Sequence, residues 1–422
     1  MSKDSIHNAK DGDSSSPKGF EKLLLIFILA FMSSIAPLST DMYLPALPNV
    51  SESFAVSDFY AQLSLAAFFI AFAFGQLIYG PLSDAFGRKK PLYVGLVLFI
   101  TSSIGCVLVD SIYAFIVLRF FEALGGCAGV VIARAIVNDR FALKDAASVF
   151  ALMMVISSLA PMLAPALGSI LLGFFEWYSI FLTLFSLGIV LYILIIFVLK
   201  ESAPKTKTPF SHHEIIKHYK LILSDKIFMV YVLSGAFAMG ALFAYITGSS
   251  FVFMNVFASD KNIYSLIFAL NAIGLMICST LNAKIVLKTS PEYILKKAFV
   301  AMSVFACILI GAGMIGDFIL FEMALFATLS SLGFLLPNLT TLAMARFKAY
   351  SGTASAVLGT IQFTLAGIMS FLVGAFEANT PILLALAMAI AVWCGSGIYE
   401  YIIYKQKNKK YNIIILILRR II

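Results

Sequence analysis

Apolar residues in this chain neither alternate nor recur on one helical face. They fill whole stretches, each closed by a short polar cluster. Twelve such stretches read approximately as 22–44, 59–81, 91–110, 112–133, 147–173, 177–199, 228–250, 263–283, 298–316, 319–343, 353–376 and 381–404. A helix of about 20 apolar residues crosses a hydrocarbon core roughly 30 Å thick. Helices that are apolar all round must be covered by lipid or by one another. The pattern therefore predicts an all-α polytopic membrane protein.

The polar clusters give the orientation. An even number of spans puts both termini on one side. With that side cytoplasmic, 28 of the 30 basic residues fall in cytoplasmic segments, Arg134 among them. The exceptions are Lys261 in an outer loop and Arg119 inside the fourth span. This is the asymmetry that sets membrane topology. It also explains the net charge of +8 without nucleic acid. The longest internal polar stretch lies near the middle, so the chain divides as follows. A disordered cytoplasmic tail covers 1–21, a six-helix bundle 22–199, a cytoplasmic connecting loop 200–227, a second six-helix bundle 228–404, and a C-terminal tail 405–422. No signal peptide is expected, because the first apolar segment is too long for one. The run Ile413–Leu418 is too short to span.

Composition agrees with this. Hydrophobic residues make up 61% and charged residues 12%, against about 25% charged in soluble domains. The five cysteines, Cys106, Cys127, Cys278, Cys307 and Cys394, sit singly in apolar segments and read as packing residues. His212, His213 and His218 in the connecting loop do not share one helical face, so no metal site is expected. No cofactor is implied. No phosphate-binding Walker loop is present, and no residue cluster suits a membrane-embedded enzyme.

Few ionisable groups lie well inside a span, where each needs a partner or a task because insertion costs about 2.5–3.5 kcal/mol. They are Asp41, Arg119 and Glu122, whereas Asp110, Glu322 and Glu400 lie nearer the ends. At a rise of about 1.5 Å per residue, Asp41 and Arg119 fall at similar depth in the first and fourth spans. Glu122 is one turn from Arg119 on the same face. A carboxyl beside an arginine can be a proton carrier that makes and breaks the contact, or half of a static ion pair. With no carboxylate in mid-span of the second half, coupling is expected in the first.

The loop Gly80-Pro-Leu-Ser-Asp84-Ala-Phe-Gly87-Arg88-Lys-Lys90 is the most specific local signal. Its glycines permit a tight turn and close helix approach, and Asp84 can cap a neighbouring helix or pair with a basic residue. It resembles the signature loop of the major facilitator superfamily, which implies a twelve-helix fold in two six-helix bundles. Under that resemblance Gly80, Asp84, Gly87 and Arg88 form a conformational latch. Leu38-Ser-Thr-Asp41-Met-Tyr43-Leu-Pro45-Ala-Leu-Pro48 and Arg119-Phe-Phe-Glu122-Ala-Leu-Gly125-Gly126, running on to Ala133-Arg134-Ala-Ile-Val-Asn138-Asp139, narrow the likeness. Together they closely resemble the Bcr/CflA group of drug:proton antiporters. Matches run on through Ala160-Pro161 to Gly168, Gly248 to Phe251, Asn271 and Pro337-Asn338, and end at Gly359 to Phe363. Glu122 departs from that group, which carries Gln there, and Ser169 replaces a second Gly. The resemblance implies proton coupling through Asp41, Arg119 and Glu122. Substrate contacts are expected at Tyr43, Tyr245, Phe251, Asn271, Asn338, Gln362 and Phe363, a set of aromatic faces and amides suited to bulky amphipathic molecules. The protein implied is a monomer in a bacterial inner membrane that exports small molecules such as bicyclomycin- or chloramphenicol-like drugs. The alternative is a dedicated physiological solute, such as an amino acid or a siderophore.

Overall fold

The computed structural model describes residues 19–56, 58–202, 211–258, 261–375 and 380–421. Among them no strand occurs, and twelve helices contain 20 residues or more. In the first half these are α1 (Gly19–Asp41), α3 (Asp58–Phe86), α4 (Lys89–Leu108), α5 (Ile112–Arg140), α6 (Leu143–Phe174) and α7 (Tyr178–Val198). A short helix α2 (Leu47–Ser53) follows α1 through a 3-10 turn at Leu44–Ala46. Pro45 and Pro48, which sit early in these two turns, stop α1 from continuing.

The connector contains α8 (His212–Ser224), an amphipathic helix rather than a plain loop. Its His218 ring lies against that of Tyr350, with centroids 4.2 Å apart and planes tilted by 34°, and is 3.6 Å from Glu214. The second half then supplies α9 (Lys226–Ser250), α10 (Lys261–Ile285), α11 (Pro291–Ile315), α12 (Phe318–Met344), α13 (Ser351–Ala375) and α14 (Pro381–Ile421). A π-helical segment, Phe251–Val256, extends α9. Ten stretches of described residues are long and apolar enough to cross a membrane. One of them, Phe318–Val373, contains both α12 and α13, and the shorter apolar part of α6, Leu163–Phe174, stands beside the ten. This fits twelve spans.

Side chains separate as a bilayer requires. Large apolar residues such as Phe69, Ile70, Phe174, Phe197 and Phe371 are exposed on the outside of the bundle. Serines, asparagines and the charged residues Arg88, Arg119, Glu122 and Glu322 are buried within it.

Helix ends differ from the sequence boundaries in a consistent way. α5 continues to Arg140 and α11 begins at Pro291, each seven residues beyond the expected edge. Apolar content marks where hydrocarbon ends, whereas intrahelical hydrogen bonds continue into the polar region. Arg134, expected in a loop, is consequently a residue of α5. Within the C-terminal tail, α14 continues as helix to Ile421.

The two halves meet along two seams, α3 against α13 and α6 against α10. At the end that carries the basic loops, one apolar cluster joins both halves. Phe228, Val232, Ala343, Met344, Ala354 and Val357 of the second half pack into the core of the first.

Candidate functional site

The basic end is held by the signature loop. Gly87 takes a positive φ of 89°, which turns the chain from α3 into α4. Gly80 lets α3 approach α13, since a Cβ there would lie 2.5 Å from that of Ala356. This approach brings Asp84 to the N-terminus of α13. Its Oδ1 accepts from the Gly352 amide at 2.9 Å, and its Oδ2 accepts from the amide and hydroxyl of Thr353 at 2.7 and 2.6 Å. A carboxylate satisfying the free amides of a helix start is favoured both by hydrogen bonding and by the helix dipole.

Arg88 ties this cap to α5. Its Nη1 donates to Asp84 at 2.7 Å, its Nε to Asp139 at 2.8 Å, and its Nη2 to the Ser351 hydroxyl at 2.6 Å. Burial alone would lower the pKa of this guanidinium, but Asp139 and Asp84 raise it above its ordinary value. Glu201 accepts from the Arg88 and Lys89 amides at 2.9 and 3.1 Å. The four expected latch residues are thus brought together. Asp139, Ser351 and Thr353 join them without having been expected. Asp139 closes the Ala133–Asp139 stretch of α5, but only the fold places it against the loop.

The charged cluster of the first half differs from expectation. Arg119 pairs with Glu122 at 2.6 Å, both fully buried, and not with Asp41. Ser39 bridges the pair, accepting from Arg119 at 2.8 Å and donating to Glu122 at 2.9 Å, while Ser103 on α4 donates to the same carboxylate at 3.2 Å. The rings of Phe68, Tyr43 and Phe181 surround the guanidinium, with centroids at 4.6, 4.7 and 5.4 Å. Two residues along a helix is a rotation of about 200°, so Ser39 facing Arg119 turns Asp41 away. Asp41 is half-buried at the last residue of α1, accepts from the Thr40 hydroxyl at 3.0 Å and forms no ion pair among the described residues.

The expected substrate residues do not converge on one wall. Tyr43 is fully buried and hydrogen-bonded to Ser64 at 2.9 Å, so it belongs to the Arg119 surround. Asn338 is buried too, donating to Asn282 at 2.8 Å between α12 and α10. Gln362 is buried with its amide nitrogen toward Gly235 of α9. Phe363 lies at the seam, against Phe72 of the first half at 5.3 Å and Phe243 of the second at 6.3 Å. Phe251 lies outside the residues whose side chains are described.

Tyr245 and Asn271 do meet, and they meet at a residue the sequence reading set aside. Asn271 donates to Glu322 at 3.0 Å and to the Tyr245 hydroxyl at 3.4 Å, and Phe268 stacks on Tyr245 at 5.6 Å. Glu322 is 8% exposed, forms no ion pair among the described residues, and its Oε2 has no hydrogen-bond partner. Glu322 lies near the start of its span, as the sequence indicates, yet it is buried inside the bundle, a setting its position did not disclose. Four residues into α12, Glu322 resembles an ordinary acid near a span end until α9 and α10 close over it.

The uncharacterized MFS-type transporter YdgK of Bacillus subtilis is 34% identical over 89% of this chain and 94% of its own. The bicyclomycin resistance protein homolog of Haemophilus influenzae is 27% identical over 92% of this chain and 98% of its own. Among solved structures, the transporter FucP in its outward conformation superposes with a TM-score of 0.73 at 14% identity, over 90% of this chain and 97% of that one. The description of the Major Facilitator Superfamily matches residues 29–371. With its signature loop docked on α13 and its bundles sealed at the basic end, this chain belongs to the Major Facilitator Superfamily and is a membrane transporter rather than an enzyme.

Proposed function

We propose that this transporter is a proton-coupled exporter of small amphipathic molecules in a bacterial inner membrane, with twelve spans and both termini cytoplasmic. The positive-inside bias supports that orientation. It makes the sealed basic end the cytoplasmic one, so the latched state would open its substrate path outward. The latch of Asp84, Arg88 and Asp139 is then released when the path turns inward.

The observation that carries proton coupling is that Asp41 and Glu322 each lack a cationic partner among the described residues. An isolated carboxylate away from water is expensive, and binding a proton removes that expense. Opening the path to water or to substrate lets the proton leave. Arg119 and Glu122, which neutralise one another, act in this reading as a fixed joint between α1, α4 and α5 instead of as carriers. One proton entering releases about 2.3 kcal/mol per 100 mV and about 1.4 kcal/mol per pH unit. Those two together support roughly a 500-fold gradient of a neutral solute. The likeness to the bicyclomycin resistance protein homolog of Haemophilus influenzae supports drugs of the bicyclomycin type as substrates.

The test is uptake into everted membrane vesicles with an acid interior, using drugs that the transporter excludes from a pump-deficient host. Wild type accumulates drug and loses it on addition of a protonophore, whereas Asp41→Asn and Glu322→Gln are both expected to reduce driven uptake by at least tenfold. Uptake that ignores the protonophore, or that survives both substitutions, sinks the coupling. Absence of resistance to every drug in the panel points to a dedicated solute.

A further inference from the structure

Among the described residues, the arginines inside the bundle have their anions with one exception. Arg88 has Asp84 and Asp139, and Arg119 has Glu122. Arg134, on α5 six residues before the helix ends, has none. Its side chain is half-buried, its Nη1 is fully enclosed without a hydrogen-bond acceptor, and it forms no ion pair among the described residues.

Polar groups without partners gather around it. Gln76 of α3 is fully buried, and neither its Oε1 nor its Nε2 has a hydrogen-bond partner. Both side chains reach across the seam to Gly359 of α13. A Cβ at that glycine would collide with Gln76 Oε1 and would lie 2.7 Å from Arg134 Nη1. One turn nearer the basic end, Asn138 on α5 and Ser355 on α13 also leave side-chain polar atoms unpaired. Donors therefore accumulate where the two bundles meet, just above the latch, and their charge is positive.

Arginine cannot shed its proton to escape burial, and a guanidinium away from water is unfavourable unless an anion meets it. Where the protein supplies no carboxylate, a ligand can. We propose that Arg134, assisted by Gln76, binds the carboxylate of an amphipathic organic acid across the α5–α3–α13 seam. This deepens the exporter reading, on which it rests, by naming organic anions as a substrate class. A planar guanidinium donates two parallel hydrogen bonds to a carboxylate, and Gln76 and Asn138 offer further amide donors to it. Because α13 belongs to the other bundle, a ligand bound here touches both halves and senses their separation.

The experiment uses the purified full chain in lipid nanodiscs without a proton gradient. Binding of salicylate and nalidixate is compared with binding of their uncharged amides and of chloride alone. Wild type is expected to bind at least one carboxylate tenfold or more tightly than its amide. Arg134→Gln is expected to abolish that preference, Arg134→Lys to retain part of it, and Gln76→Ala to weaken carboxylate binding several-fold. Because it removes an unmatched buried charge, Arg134→Gln should also melt no lower than wild type without ligand.

Equal carboxylate affinity in wild type and Arg134→Gln overturns the proposal. So does an Arg134-dependent response to chloride that leaves carboxylates without effect, or a marked fall in melting temperature that reveals a structural role. Binding of neutral drugs without any carboxylate preference overturns it while leaving the exporter reading intact. Failure of that reading is seen separately, in the vesicle and resistance assays on wild type.

Discussion

Both halves bury a carboxylate, and they treat it in opposite ways. In the first half Glu122 receives Arg119 at 2.6 Å, two serine hydroxyls and the shelter of three aromatic rings around its partner. In the second half Glu322 receives one neutral amide, from Asn271, and keeps one oxygen unpaired. The first arrangement fixes a charge. The second leaves a charge dependent on something that arrives from outside. Both residues are buried glutamates, so the difference in their partners lies in what neighbouring helices present.

The largest expected consequence is at the compensated site. Arg119→Ala strands Glu122 in the core, and breaking one side of a buried pair costs about 3–5 kcal/mol. Denaturant or thermal unfolding of the purified protein should show it. Replacing both partners, as Arg119→Met with Glu122→Leu, should recover most of that loss, because an apolar pair of similar volume is tolerated. If single and double replacements unfold alike, the pair is not a fixed joint and the contrast with Glu322 fails. Glu122→Gln should cost less than Arg119→Ala, since the rings and Ser39 still hold the guanidinium.

Next in size is the latch, which sharpens the comparison by altering only the relative position of the halves. Asp84 accepts three hydrogen bonds from the start of α13 and one from Arg88. Hydrogen bonds to a charged group are worth roughly 1.5–3 kcal/mol. Asp84→Ala should therefore shift the balance between sealed and open basic ends by at least tenfold. Accessibility of a single cysteine placed at Ala354, buried at the seal, would report it. Unchanged labelling would mean that the apolar cluster alone keeps that end closed.

At Glu322 the expected effect on stability is small even though the expected effect on transport is large. Gln can still accept from Asn271 through its amide oxygen, and Oε2 has no partner to lose. Glu322→Gln should change unfolding by less than about 1 kcal/mol, within the range of ordinary substitutions. A loss comparable to that of Arg119→Ala would show that Glu322 holds the fold together, and the difference between the halves would disappear.

What the sequence discloses follows from what each feature depends on. Spans are legible because hydrocarbon thickness is imposed from outside the protein, and each helix satisfies its own backbone. The turn of the latch is legible because the chain reversal needs Gly87 locally, whereas Gly80 and Asp84 gain their roles only where α13 packs against α3. The pairing of charges is not legible in this way. Asp41 and Arg119 have matching depths, but depth fixes only one coordinate, and the rotation of α1 gives Ser39 the position expected of Asp41. Glu322 and Arg134 were each read from their distance to a span end. Burial at those positions is conferred by α9 and α10 in one case and by α3 and α13 in the other, and no pattern within α12 or α5 encodes it.

The smallest effect is expected where an ion pair faces water. Arg346 reaches Asp225 through two contacts of 2.6 and 2.9 Å, and Asp225 also accepts from the amides of Ile227 and Phe228, capping α9. Partial burial pushes this carboxyl's pKa up, but the Arg346 hydrogen bonds and the two amides outweigh it and hold the pKa below the ordinary value. Because the folded pKa is depressed, the stabilisation is present above the unfolded carboxyl pKa of about 3.9 and is lost as pH falls through the folded value. The side chains of Arg346 and Asp225 are 36% and 21% exposed, so Arg346→Ala should cost at most about 1 kcal/mol at neutral pH. Unfolding midpoints of wild type and Arg346→Ala should draw together at high salt and again as pH falls through the folded pKa of Asp225. Arg119→Ala should stay separated from wild type in high salt, because its pair is shielded from solvent ions. A salt-sensitive gap at Arg119 would mean that water reaches that cluster, and the first half would then hold an exchangeable charge as well.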